Sequence, residues 1–192
     1  WDTEWLNKKE IVKSIISHKL NKNKNKIGAR KCKLIKIADK KIKSEFLNQN
    51  HIQGNDNSQL AYGLYFEEEL VSIMTFGHRK ITKERKTSWE LIRFCNKINH
   101  SISGAASKLL KFFIEKHSPD KITTYADLRY SDGNFYSKLG FSLKHISAPG
   151  YWYIINGELK HRCGFMKHRL EKILKNFDCN LSEYQNMLKN GY

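Results

Sequence analysis

Chemistry is offered first by a tract of small residues, Ser103-Gly104-Ala105-Ala106-Ser107, which opens a run with helical apolar spacing at Leu109, Leu110, Phe113 and Ile114. The first amides of a helix have no partner inside it and lie at the positive end of its dipole, so such a start suits an anion. Gly104, Ala105 and Ala106 leave a diphosphate free to reach backbone donors, and the Ser103 and Ser107 hydroxyls can add to them; equally, small residues there let a helix pack closely on a sheet. His51 stands in a polar segment without periodicity, Asn50 to Asp56. An imidazole titrates near neutrality, so His51 is a candidate general base, or else a satisfied surface histidine. Asp127, at the end of the strand-like run Lys121 to Ala126, can orient that base or hold an amine, or simply cap the turn that follows. Glu90 and Arg93 share one strand-like run and can form a buried pair that serves only the fold.

The elements that must position these groups follow from the apolar pattern. Ala29 to Ile37 reads as a first strand through Cys32, Leu34 and Ile35, and Asp39 can cap a helix that buries Ile42, Phe46 and Leu47. Gln59 to Phe66 and Glu69 to Phe76 alternate as a hairpin around Glu67-Glu68. Trp89 to Phe141 then reads strand, loop, helix, strand, turn, helix, strand, with a short helix near Asn134 ended by Gly140. Phe141 to Ile146 and Tyr151 to Ile155 are expected as the last strands, joined through Ala148-Pro149-Gly150. Tyr151-Trp152-Tyr153 could stack an unpaired base, although alternate aromatic residues in an edge strand more often pack on the core.

Composition bounds the rest. The 192 residues carry 35 Lys and Arg against 19 Asp and Glu, a formal charge of +16, which points to a polyanion partner, most simply duplex DNA held through phosphates. The candidate contacts are Arg30 and Lys31, then Arg79, Lys80, Arg85 and Lys86 in a hydrophilic loop, then Arg162 and Lys167 in a basic tail. A coding bias toward Lys and Asn offers a blander origin for part of that charge. Residues 21 to 28 read as a solvated basic tether. Cys32, Cys95, Cys163 and Cys179 lie far apart, so reduced thiols in a cytoplasmic protein are expected, with neither a disulfide framework nor a zinc site; His161, Cys163 and His168 match no standard metal spacing. No apolar run approaches membrane-spanning length. The oligomeric state is left open.

Asn134-Phe135-Tyr136-Ser137-Lys138-Leu139-Gly140-Phe141 resembles the "N..FY.KLGF" signature of the GNAT acyltransferase superfamily. The resemblance implies an α+β fold of six to seven strands, mixed and mostly antiparallel, flanked by helices, with a splayed cleft between the fourth and fifth strands. It implies acetyl-CoA or another acyl-CoA as donor, its pyrophosphate on Ser103 to Ser107 with Asn134 beside it. It also implies a Tyr136 that protonates the departing thiolate, or a ring packed in a recurring turn, and an acceptor met near His51. The usual pyrophosphate loop has two glycines spaced by one residue, whereas here alanines follow Gly104.

From His51 to Phe141 the order of motifs, including Glu90 to Arg93, the Ser-Gly-Ala-Ala-Ser tract, Thr124 to Asp127 and Asp132 to Gly140, is similar to the Mom family of phage DNA-modifying enzymes. That implies transfer of an acyl-type group to the adenine N6 amine, in a host cytoplasm. The pattern also resembles the GNAT-like domain behind Vsr-type nuclease domains in phage homing endonucleases, a likeness that takes in Ala29 to Cys32 and Met187 to Tyr192 and implies a non-catalytic DNA-binding domain. On it, Trp1-Asp2-Thr3-Glu4-Trp5 looks like the end of a preceding nuclease domain, and the chain like part of a longer protein. A third reading is a protein or small-amine N-acetyltransferase. The expected organisation is residues 1–28 as helix and linker, 29–162 as the GNAT-like domain and 163–192 as a basic helical tail.

Overall fold

The computed structural model describes residues 1–23, 25–78 and 88–192. Arg79, Lys80, Arg85 and Lys86 therefore lie outside the described residues. The chain divides into two compact units, Trp1–Leu143 and Lys144–Tyr192, so the boundary falls earlier than the one expected after residue 162.

In the first unit, helices α1 (Asp2–Asn7) and α2 (Lys9–Lys19) precede β1 (Asn25–Gly28), a turn of 3-10 helix at Ala29–Lys31, and β2 (Lys33–Lys36). Then come α3 (Lys40–Asn50), β3 (Leu60–Phe66), β4 (Glu69–His78), β5 (Ser88–Asn96), β6 (His100–Ser103), α4 (Ala105–His117), β7 (Lys121–Thr124) and α5 (Asn134–Lys138). Among the described residues the central sheet has five strands, in the order β2-β3-β4-β5-β7. All its pairs are antiparallel except β5 with β7, which runs parallel from Ser88↔Lys121 to Leu91↔Thr124. Past that last rung β5 continues to Asn96 with no strand on its outer edge among the described residues, and this is where the two strands part.

The five strands are fewer than the six to seven expected, for two reasons. Phe141 to Tyr151 forms no strand: Phe141 packs on the larger core, but Leu143 and Ile146 are 79% and 67% exposed, so the alternation does not continue into a buried face. Among the described residues Trp152–Ile155 (β8) pairs only with Glu158–His161 (β9), in the second unit. Residues 25–28 are also not a free tether. They run parallel to β6 from Asn25↔His100 to Gly28↔Ser103, because β6 offers an edge and Ile27 has a core to pack on.

The larger core lies between the sheet and α4. Leu109, Leu110 and Phe113 recur on one helix face and meet Tyr62, Leu64, Met74, Phe76 and Leu91. The Phe76 and Phe113 rings stack with centroids 3.6 Å apart. Ser118, in a left-handed conformation, ends the helix ahead of Pro119. On the opposite face, Phe46 and Leu47 of α3 cover Ile37, Ala61 and Ile73, and Asp39 caps the helix by accepting the Lys41 N–H. Ile42, expected inside, is 43% exposed, and the buried position of that turn is taken by Lys43.

The second unit packs Tyr153 of β8, Leu170 of α6 (Lys167–Leu170), Leu174 and Met187 of α7 (Glu183–Lys189) into its own small core. Among the described residues no helix is long and apolar enough to cross a membrane. Truncating Phe113 to Ala removes the ring at the centre of the larger core. We expect a loss of about 3–5 kcal/mol, read from urea unfolding at neutral pH.

Candidate active site

Three groups of residues bear on a site at the edge that β5 exposes beyond Leu91. The first is the start of α4. Gly104, at φ +81°, turns the chain from β6 into the helix and provides no side-chain cap. A Cβ there would meet only the Ala29 methyl, at 3.8 Å, so it is the backbone conformation, not space, that favours glycine. Ala105 and Ala106 are buried while Ser103, Gly104 and Ser107 are exposed. The alanines that replace the expected second glycine thus point into the core and leave the outer side of the turn open. Lys108 Nζ donates to the Ala29 and Cys32 carbonyls at 2.9 and 2.6 Å, which ties the Ala29–Lys31 turn to the helix. Arg30 and Lys31, expected to contact nucleic acid, are exposed on that turn.

The second group flanks the open edge. Phe135 of α5 stacks on Phe94 of β5 with centroids 5.4 Å apart, which holds α5 against the part of β5 that has left β7. Tyr136 lies edge-on to Phe135 and Phe141, and its hydroxyl makes no hydrogen bond among the described residues. Asn134 is exposed, with its backbone and side-chain amides both donating to Asp132. Asp127 turns to Arg129 and not to His51: the guanidinium reaches both its oxygens, with Nη2 at 2.7 Å, and its Oδ1 also accepts the Arg129 N–H. Those bonds hold the Asp127 carboxyl below its ordinary range. Of the roles foreseen for Asp127, capping the turn is the one the bonding displays. Arg129 also pairs with Glu4, and Tyr130 donates to the same Glu4, so α1 is fastened to this turn.

The third group lies on the α3 side of the sheet. His51 follows the last residue of α3, and its Nδ1 accepts the Gln53 N–H at 3.1 Å. Burial lowers its pKa to about 4, with help from the positive charges of Arg93 and Lys8 and against the pull of Asp56. His51 is therefore a neutral imidazole at physiological pH. Asp56 is buried; its Oδ1 accepts Lys43 Nζ and the Ser58 N–H, each at 2.9 Å, and its Oδ2 accepts the Thr75 hydroxyl. Burial works to raise the Asp56 pKa and is outweighed by these bonds, which lower it. Thr75 Oγ1 in turn accepts the Arg93 N–H at 3.1 Å. Burial pushes the Cys95 thiol well above its ordinary range.

Arg93 forms no ion pair with Glu90; its Nη1 donates to the Ile92 carbonyl at 2.9 Å. The structure thus brings His51 together with Arg93 and Asp56, two residues the sequence had not marked as functional. A legible signal existed: Lys43 falls on the apolar stripe with Phe46 and Leu47, and a charge there calls for a buried partner. Arg162 and Lys167 belong to the second unit, where Arg162 lies 4.7 Å over the Tyr151 ring and 3.9 Å from Glu183, while Lys167 is exposed.

No family model matches the chain, and no curated protein does. Solved structures are similar in fold. A transcriptional regulator from Bacillus halodurans C-125 is 13% identical over 63% of this chain and 99% of its own, with a TM-score of 0.50. A GNAT family acetyltransferase from Streptococcus pneumoniae TIGR4 is 15% identical over 58% of this chain and 88% of its own, at 0.44. An aminoglycoside acetyltransferase from an uncultured soil metagenomic sample, in complex with sisomicin, is 15% identical over 66% and 98%, at 0.46. The likeness is one of architecture: the chain has a GNAT-like α+β fold, a mixed central sheet flanked by helices.

The lowered His51 pKa has a signed consequence. Below its ordinary value of 6.5 the unfolded chain takes up a proton that the folded chain refuses until about pH 4. Stability should fall as pH drops through that window and level off below it, by roughly 3 kcal/mol at most. Urea midpoints for the wild type and His51→Gln between pH 7 and 4 check this. The variant should lose most of the slope above pH 4.5 and keep the part due to His117, whose pKa burial also lowers, while the decline from protonating Asp56 lies below this range.

Proposed function

We propose that the chain is an acyl-CoA-dependent N-acyltransferase whose acceptor is a base amine of DNA, adenine N6 in the Mom-like form of the reading. The observation that carries it is the junction of an uncapped helix start at Gly104 with a β5 edge that runs on alone past the Leu91↔Thr124 rung. The residues present fit the donor: the first amides of α4 meet no side-chain cap, and the Ala105 and Ala106 methyls face inward. Ser103, Gly104, Ala105, Ala106 and Ser107 would hold the pyrophosphate, with Arg30 and Lys31 adding positive charge on the neighbouring turn.

Bound acyl-CoA would supply a thioester carbonyl for attack by the amine. Past Leu91 β5 is paired with β4 on one side, and its outer edge, with no strand beside it among the described residues, would lie along the pantetheine arm. Tyr136, with its hydroxyl unbonded, is suited to give a proton to the leaving thiolate. His51 is a weak base, and a weak base suffices here. An adenine amine is neutral at physiological pH, so the proton to be removed is the acidic one on nitrogen after the new bond has formed. Such an amine is a poor nucleophile, and most of the rate must come from positioning. The net charge of +16 supports a nucleic-acid acceptor. The Phe94–Phe135 stack beside the open edge favours a second reading, a DNA-binding domain that has kept the fold without the chemistry.

Calorimetry with acetyl-CoA separates the two. On the first reading Gly104→Asp weakens binding about tenfold to thirtyfold through charge at the helix start, while Gly104→Asn, which tolerates the same backbone, stays near wild type. Mass spectrometry of nucleosides from DNA incubated with protein and acetyl-CoA should reveal an acylated adenine, and Tyr136→Phe should slow its formation about a hundredfold. Wild-type protein that binds duplex DNA with a steep salt dependence, yet shows no affinity for acetyl-CoA, would select the second reading.

A further inference from the structure

Arg93 is a cation without a counterion. It is half-buried on β5, two residues past the last rung with β7, and among the described residues no carboxylate oxygen lies within 4 Å of it. Its Nη1 folds back onto the carbonyl of Ile92, the first residue beyond that rung, and its Nε is buried with no hydrogen-bond partner. A guanidinium in such a place is expected to meet an acid, and the acid whose charge is felt by its neighbours His51 and Cys95 is Asp56. Asp56 is committed elsewhere: both its oxygens are taken by Lys43, Ser58 and Thr75. Thr75 completes the diversion by accepting the Arg93 backbone N–H while donating to Asp56, so strand and carboxylate are joined and the guanidinium is left out. The Nε and remaining Nη groups of an arginine form a planar fork that matches two oxygens of one acid group.

We propose that the Arg93 guanidinium is the anchor for an anionic oxygen pair, phosphate or carboxylate, carried by the acceptor that brings its amine to the open edge of β5. The inference rests on the transferase reading above and adds the chemical class of the acceptor. A phosphate on the anchor suits a nucleotide, and a carboxylate suits an aromatic amine of the aminobenzoate type. Lys8 reinforces the choice of an anion, since its Nζ lies on the same side, bonded to the Ile52 carbonyl in the loop after His51. Lys43, by contrast, spends all its donors on Asp56 and Ser58 and is not available.

The test has two arms on the full chain. In the first, the Nε–H resonance of Arg93, identified by its loss in Arg93→Lys, is followed by NMR during titration with inorganic phosphate and, separately, with acetate. A saturable shift with either anion beyond that caused by equal chloride is the expected result, and the anion that saturates first identifies the acceptor's acid group. No shift with either overturns the inference, whether or not acetyl-CoA binds. In the second, initial rates of CoA release from acetyl-CoA are compared for three weakly basic aromatic amines: adenosine 5′-monophosphate, 4-aminobenzoate and aniline. Arg93→Gln should raise KM for the acceptor bearing the preferred anion about tenfold to a hundredfold, far more than it changes kcat for that acceptor or KM for aniline. Equal losses for all three would assign Arg93 to the fold and overturn the anchor. Absence of acetyl-CoA binding would instead defeat the transferase reading while the resonance arm still decides on the anion.

Discussion

A single buried carboxylate organises the side of the sheet on which an acceptor would be met. Asp56 accepts from Lys43 of α3, from Ser58 in its own loop and from Thr75 of β4, and through Thr75 it is linked to the backbone of β5. Charges removed from water are tolerated only when partnered this fully, and removing one partner leaves the other exposed to the whole desolvation cost. The loop from His51 to Ser58 has no regular structure, yet bonds hold it along its length: Gln53 N–H to His51, Asn55 N–H to Asn48, Lys8 to the Ile52 carbonyl. A polar loop built this way can present a histidine at a fixed place, which a freely moving tether could not.

The second constraint is the irregularity between Thr75 and Phe76, where the register of β4 on β5 shifts. In a regular strand, residues two apart share a face. Here Trp89, Leu91 and Phe94 all join the core beneath α4, and the step of three between the last two is the mark of the bulge. The consequence is that Arg93 and Cys95 turn to the opposite face, toward His51 and Asp56. Beside the bulge, the Arg93 amide also donates to the Thr75 hydroxyl. One local defect thus sets both where β5 buries its aromatic ring and where it displays its guanidinium.

Much of this was legible in advance because it is local. The hairpin around Glu67-Glu68 follows from alternation, and those two residues do adopt positive φ. Asp39 capping α3, the apolar face of α4 and the stop at Gly140 are each written within a few residues. What was hidden is what depends on distant partners. The parallel pairing of β1 with β6 joins segments far apart in sequence, and only Ile27 in a lysine-rich run hinted at it. The run from Phe141 to Ile146 alternates like a strand, but alternation does not guarantee a neighbour to pair with. The partners of Asp56 are scattered over three elements, so its importance could not be read from the Asn50 to Asp56 segment alone.

The ionisation states in this cluster also bear on what chemistry it can support. His51 stays neutral down to about pH 4 and the Asp56 carboxyl is held below its ordinary range, so neither changes charge across the neutral range. A site of this kind does not work by titration. It offers a fixed field, positive at Arg93 and Lys8 and balanced at Asp56, in which a neutral imidazole can accept a proton only from a group made acidic by reaction. That is the demand set by acyl transfer to a weakly basic amine, where the attacking nitrogen carries no proton to lose beforehand and becomes a strong acid once the bond to carbon forms. A strongly basic amine, protonated in water, would need a better base than His51 to free its lone pair. The depressed pKa that disqualifies His51 as a base for such amines is therefore compatible with an aromatic amine, and it narrows the acceptors for which this arrangement is chemically suited.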